Sequence, residues 1–180
     1  GANLARASEP RYLDTPAGRV ALIAVTSTFH ESWIAGEQRP DMIGRPGVNA
    51  LRHDVEYTVR PEDLQQLREI ADLTGINSEH DHSVKLGYKS AASRGTFLFG
   101  GHSFVAGKAR GAKSTPNKED VRRITNSISQ AKRQADYVLV SVHSHEMGEA
   151  GINQPARFFE SFARTCIDYG ADAILGHGPQ

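Results

Sequence analysis

A single cysteine, Cys166, stands in the 180 residues, which excludes an internal disulfide. It falls among apolar residues at helical spacing, where a thiol packs as a small hydrophobe. No apolar run approaches the roughly 20 residues that a membrane-spanning helix requires, and Gly1 to Ser8 lacks the apolar core of a secretory leader. Net charge is missing too. The 21 basic and 21 acidic residues cancel, so no overall field draws the protein toward nucleic acid or an anionic membrane, and a small or polyanionic substrate is the expected partner. Two nucleotide signatures fail. The stretch from Gly101 to Gly107-Lys108 is one residue too long for a Walker loop and puts Ala109 where the Mg-binding hydroxyl belongs, and no Gly-x-Gly-x-x-Gly follows a strand. No Gly-x-Ser-x-Gly elbow supports a serine nucleophile.

What is present suits one α/β domain, or a large piece of one. Residues 19–27 (RVALIAVTS) form a β-rich apolar run entered through the turn signal Thr15-Pro16-Ala17-Gly18, which predicts a buried strand. Residues 28–58 carry Gly36, Pro40, Gly44, Pro46 and Gly47 with no sustained period and read as a long ordered loop. Pro61, Glu62 and Asp63 open an amphipathic helix through Leu64, Leu67, Ile70 and Ala71, which Gly75 stops. From 76 to 113 the pattern breaks, apart from a short apolar run at 96–99, and the Gly- and Lys-rich segment 107–118 reads as a solvated loop. The last third alternates cleanly. Asn117 caps a helix bearing Val121, Ile124 and Ile128; a strand at 136–143, a helix at 154–169 ended by Gly170, and a strand at 172–175 follow. Strand, helix, strand in that order implies a βαβ crossover and a largely parallel sheet.

In parallel α/β sheets, reactive groups gather at the carboxyl ends of strands. Here two such ends carry histidine: the strand at 137–142 runs into His143-Ser144-His145-Glu146, and that at 172–175 runs into Gly176-His177-Gly178-Pro179. Either cluster alone is more economically read as hydrogen-bonded loop ends. Their joint appearance at successive strand ends reverses that preference and makes His143 and His177 the candidate ligands of a divalent ion, Mn, Zn, Fe or Mg. Since His143 and His145 alternate across an extended backbone, His145 and Glu146 are candidates for ligation, support of the ligands or proton transfer. His30, after the first strand, occupies a comparable position. Glu79-His80-Asp81-His82 resembles a ligand set in composition but no strand launches it, and His53 and His102 have no such argument. Arg39, Arg45 and Arg52 are candidates to grip carboxylate or phosphate through their forked donors, although a solvated surface role is the simpler reading for each alone.

Residues 136–146 (DYVLVSVHSHE) and 170–179 (GADAILGHGP), together with 12–27 (YLDTPAGRVALIAVTS) and 44–51 (GRPGVNAL), resemble the CapA family of poly-γ-glutamate capsule synthesis proteins, with the motifs in the family's order. That resemblance implies a calcineurin-like metallophosphoesterase architecture, an αββα sandwich of mixed sheets flanked by helices, with metal ligands on loops at strand ends. It implies that His143 and His177 ligate metal or contact a leaving oxyanion, in a metal-dependent hydrolase or transferase. The alternative is a non-catalytic binding or scaffold protein for capsule or cell-envelope assembly. The family's Gly-Asp, Asn-x-Glu and Asn-Asn-His motifs are missing, and a histidine expected near Gln180 is not reached. Residues 1–180 are therefore expected to be part of a larger domain, to bind metal poorly alone, and to associate with the half that carries the missing motifs.

Overall fold

The structure is a computed structural model describing residues 1–148 and 151–178, with backbone only at 152 and 153. Along the described residues the elements are α1 (Leu4–Ser8), β1 (Arg11–Thr15), β2 (Gly18–Thr26), a 3-10 turn at Glu31–Trp33, β3 (His53–Val59), α2 (Pro61–Thr74), α3 (Ser78–Lys85), β4 (Thr96–Phe99), β5 (His102–Ala106), β6 (Gly111–Pro116), α4 (Lys118–Lys132), β7 (Tyr137–His143), β8 (Met147–Gly148), β9 (Gly151–Pro155), α5 (Arg157–Asp168) and β10 (Ala173–His177). The chain is mixed α/β and forms two compact units, one of Gly1–His53 with Thr115–Gln180 and one of Asp54–Ser114.

The first unit is built on a four-stranded sheet in the order β1-β2-β7-β10. The hairpin pair β1 and β2 is antiparallel, whereas β2, β7 and β10 are mutually parallel, as the strand-helix-strand pattern predicts. Alternation decides the faces. Ala21, Ile23 and Val25 of β2 and Val138, Val140 and Val142 of β7 point into one core with Ile124, Ile128 and Ala131 of α4 and Phe158, Phe162 and Cys166 of α5. Phe158 and Phe162 are fully buried, each contributing about 2–3 kcal/mol by removal of apolar surface from water. On the other face Leu22, Tyr137 and Leu175 stay exposed, so the strands are buried on one side rather than two.

Local chemistry sets the helix ends. The Asn117 side chain accepts from the backbone N–H groups of Glu119 and Asp120 at 3.0 and 3.1 Å, and both acidic residues sit in the first turn, where the helix dipole favours them. Asp172 ties α4 to the sheet by accepting from Lys132 Nζ at 2.9 Å and from the Val138 N–H at 2.7 Å.

In the second unit the sheet order is β4-β5-β3-β6, with β4 and β5 antiparallel and β3 and β5 parallel. The β4–β5 turn is Gly100-Gly101, both at positive φ (56° and 87°), the conformation that a tight hairpin demands. Pro61 starts α2 and Gly75, at φ 66°, ends it, as the sequence indicates.

Several expectations are corrected here. The loop read over 28–58 ends in β3, whose alternating His-Asp-Val-Glu-Tyr-Thr-Val has too few apolar residues to stand out but does follow a period of two. The segment 76–113 contains α3, β4, β5 and the start of β6, and Glu79-His80-Asp81-His82 lies on α3 rather than in a solvated loop. The segment 107–118 contains β6, whose polar residues give no hydrophobic signal. The last helix begins at Arg157, because 151–155 pairs with β8 as a small hairpin.

Candidate functional site

The strands β2, β7 and β10 end side by side, and in the register of the sheet Thr26, His143 and His177 are neighbours. Parallel pairing thus places the two predicted histidines together from residues 34 apart. Their Nδ1 atoms face each other at 3.4 Å, and Ser141 Oγ lies 3.0 Å from His177 Nε2. The His145 ring sits 4.6 Å, centroid to centroid, from that of His143. Gly178, at φ 122°, closes the group: a Cβ there would stand 2.9 Å from the Ser144 carbonyl oxygen, 3.0 Å from the His145 ring and 3.1 Å from the His143 ring. Only glycine fits that approach. The family-pattern positions Pro179 and Gln180 lie outside the described residues.

Glu146 is held beneath this group. Its carboxylate accepts from Ser27 Oγ at 2.6 Å, Ser144 Oγ at 2.8 Å and Thr28 Oγ1 at 3.2 Å. Burial pushes its carboxyl up, but the Ser27 and Ser144 hydroxyls, its own backbone N–H and nearby His53 outweigh burial and hold it below the usual carboxylate range. His53 stacks on Phe158 at 4.0 Å between ring centroids, with the rings nearly parallel.

The chemistry of the donors can be tested against a divalent ion. Two nitrogens at tetrahedral corners, each about 2.05 Å from zinc, stand about 3.35 Å apart, which matches the separation of the two Nδ1 atoms. Ser141 on the remaining nitrogen of His177 supplies the hydrogen bond that orients a ligating imidazole. Among the described residues no group of three His, Cys, Asp or Glu is assembled to hold an ion. The residues present therefore fit two positions of a divalent site, and further donors have to come from elsewhere. Without metal, the same two nitrogens share one N–H···N hydrogen bond when one ring carries its proton at Nδ1.

Other candidates fall elsewhere. His30 faces Ser32, its Nδ1 lying 2.8 Å from Ser32 Oγ and accepting the Ser32 N–H, and so caps the 3-10 turn. Arg45 donates to the Ile34 carbonyl at 2.8 and 3.2 Å and braces its own loop. Arg52 forms a two-pronged pair with buried Asp120 at 2.8 and 2.9 Å. Asp120 also accepts from Arg123, which donates in turn to Asn49 Oδ1 and the Ala50 carbonyl. The Thr26 N–H donates to the Asn49 carbonyl at 3.1 Å and the Leu51 N–H to the Thr26 carbonyl at 2.8 Å, so this ionic network anchors the segment running beside the end of β2. Arg39 is exposed, and its backbone bridges Met42. Sequence reasoning missed Ser27, Thr28, Ser141, Ser144 and His53. The four hydroxyls were discoverable as polar residues at the ends of apolar strands; His53 opens a strand 90 residues before His143 and carries no such signal.

Residues 1–180 match the family described as bacterial capsule synthesis protein PGA_cap. The chain belongs to that family. It is also 34% identical over 180 residues to two uncharacterized proteins of Sinorhizobium fredii, y4sH and y4uA; the alignment covers 99% of this chain and 36% of each of theirs. This capsule synthesis family member thus spans about a third of the length of those curated relatives.

Proposed function

We propose that the full protein acts in capsule synthesis as a metal-dependent hydrolase or transferase of the phosphoesterase type, on a phosphoester or a polyanionic, glutamate-like chain. The supporting observation is the pair of Nδ1 atoms facing at ligand spacing on adjacent strand ends. A divalent ion, Mn, Zn, Fe or Mg, when bound there lowers the pKa of water and polarises the scissile oxygen. His143 and His177 hold the ion, Ser141 fixes the His177 ring, and His145, beside His143, moves the proton. Arg39, the one of the three candidate arginines with no side-chain partner among the described residues, receives the anionic end of the substrate. The remaining donors come from a part of the fold that associates with this chain.

The test uses the full-length protein charged with Mn or Zn and a generic phosphodiester. His143→Ala and His177→Ala should each lower turnover by about 100-fold or more, the upper end of what losing a mere supporting contact costs, with circular dichroism unchanged. A protein that binds polyglutamate equally with and without metal, is indifferent to His143→Ala and turns nothing over is a scaffold, and that result sinks the proposal.

A further inference from the structure

The geometry points to Glu146 as a positioning residue: its carboxylate ties the end of β2 to the turn after β7 and so sets where His143 and His145 stand. Resting on the metal reading above, this narrows what Glu146 does within it.

The bonds run between different strands. Ser27 and Thr28 follow β2, Ser144 follows β7, and all three hydroxyls donate to the one carboxylate. The backbone is stitched at the same place: the Ser27 N–H donates to the His143 carbonyl at 2.9 Å, the His145 N–H to Thr28 Oγ1 at 2.8 Å, and the Ser144 N–H to the His177 carbonyl at 2.9 Å. Thr28 Oγ1 therefore links Glu146 directly to the backbone of His145. A carboxylate has about four lone-pair sites, and hydroxyls from three residues fill most of them. Little is left to accept a proton from a substrate or water, whereas a fixed anion under three donors is a rigid bracket. Without it, the buried Ser144 hydroxyl loses its acceptor, the Ser27 hydroxyl is left with the His143 carbonyl at 3.4 Å, and the turn carrying the histidines loses its side-chain bracket to β2.

The experiment titrates Co(II) into full-length protein and follows its visible bands, turnover, and the histidine ring NMR signals of the metal-free protein. Glu146→Ala should weaken Co(II) binding by about 10- to 100-fold, the range for losing a group that orients ligands, and shift both the bands and the His143 and His145 ring signals. Glu146→Gln, whose amide oxygen still accepts from serine hydroxyls, should stay within a few-fold of wild type. Ser27→Ala and Ser144→Ala each remove one tie and should move the same readouts less in the same direction, which keeps the test open if Glu146→Ala does not fold. Wild-type affinity and ring signals in Glu146→Ala overturn the proposal. Equal loss of turnover in the Ala and Gln variants with metal binding unchanged overturns it too, because that marks proton transfer by the carboxyl. If His143→Ala leaves Co(II) binding intact, the metal reading fails by itself, and the ring signals of the metal-free protein still decide the role of Glu146.

Discussion

Replacing Asp120 by Asn probes the ionic network that anchors the segment running beside the end of β2. Asp120 is 1% exposed and receives four hydrogen bonds: two from the Arg52 side chain, one from the Arg52 N–H and one from Arg123. Bonds to a charged partner are worth about 1.5 kcal/mol or more each, and desolvating the carboxylate costs several kcal/mol. The Arg52 side chain is 46% exposed, so solvent screens its share, whereas Arg123 is only 19% exposed and loses its counter-charge in a partly dry setting. The net loss should be about 3 kcal/mol, or a fall in Tm of about 6–12 °C for a chain of this size. Burial pushes the Asp120 carboxyl up, but Arg52 and Arg123 outweigh it and keep it below the ordinary value. A carboxyl lowered on folding contributes its stability fully above the unfolded value, near 3.9, and loses it as pH falls through the folded value. The gap between wild type and Asp120→Asn should therefore be constant at neutral pH and close only below about pH 4. Thermal and urea melts across pH read this directly, and a double-mutant cycle with Arg123→Met should return a coupling of about 1 kcal/mol or more. A Tm change under about 2 °C at pH 7 would refute the reasoning.

Phe162→Ala removes a fully buried ring from the contact of α5 with the sheet and should cost about 3–5 kcal/mol in a urea melt. Gly178→Ala forces a Cβ to 2.9 Å from the Ser144 carbonyl at a φ of 122°; strain of about 1–3 kcal/mol is expected, visible as a lower Tm together with moved His143 and His145 ring signals. Burial pushes the Cys166 thiol up to about 12, so at pH 8 only about one thiol in ten thousand is ionised. Ellman's reagent should leave it unmodified until denaturant opens the core, and rapid labelling of the native protein would contradict the burial.

Legibility followed signal strength. The apolar runs at 19–27 and 136–143 were readable because a strand backed by helices must carry Val, Ile and Leu on the core face. The ends of α2 and α4 were readable because Pro61, Gly75 and Asn117 act through their own backbone chemistry. β3 and β6 were not, since Asp54, Glu56 and Lys113 face solvent and leave no apolar run. The partners of Arg45 and Arg52, the Ile34 carbonyl and Asp120, lie 11 and 68 residues away and leave no local signal.

By itself the sequence determined the parallel strand ends, the helices between them and the two histidines that close β7 and β10, because hydrophobic period and capping act over a few residues. The tertiary structure alone decided that the two Nδ1 atoms face each other at 3.4 Å, that Ser27 and Thr28 reach Glu146 across 119 and 118 residues, and that His53 comes near that carboxylate. Those outcomes depend on the register of parallel strands, which side-chain packing on the shared core sets and no local pattern encodes.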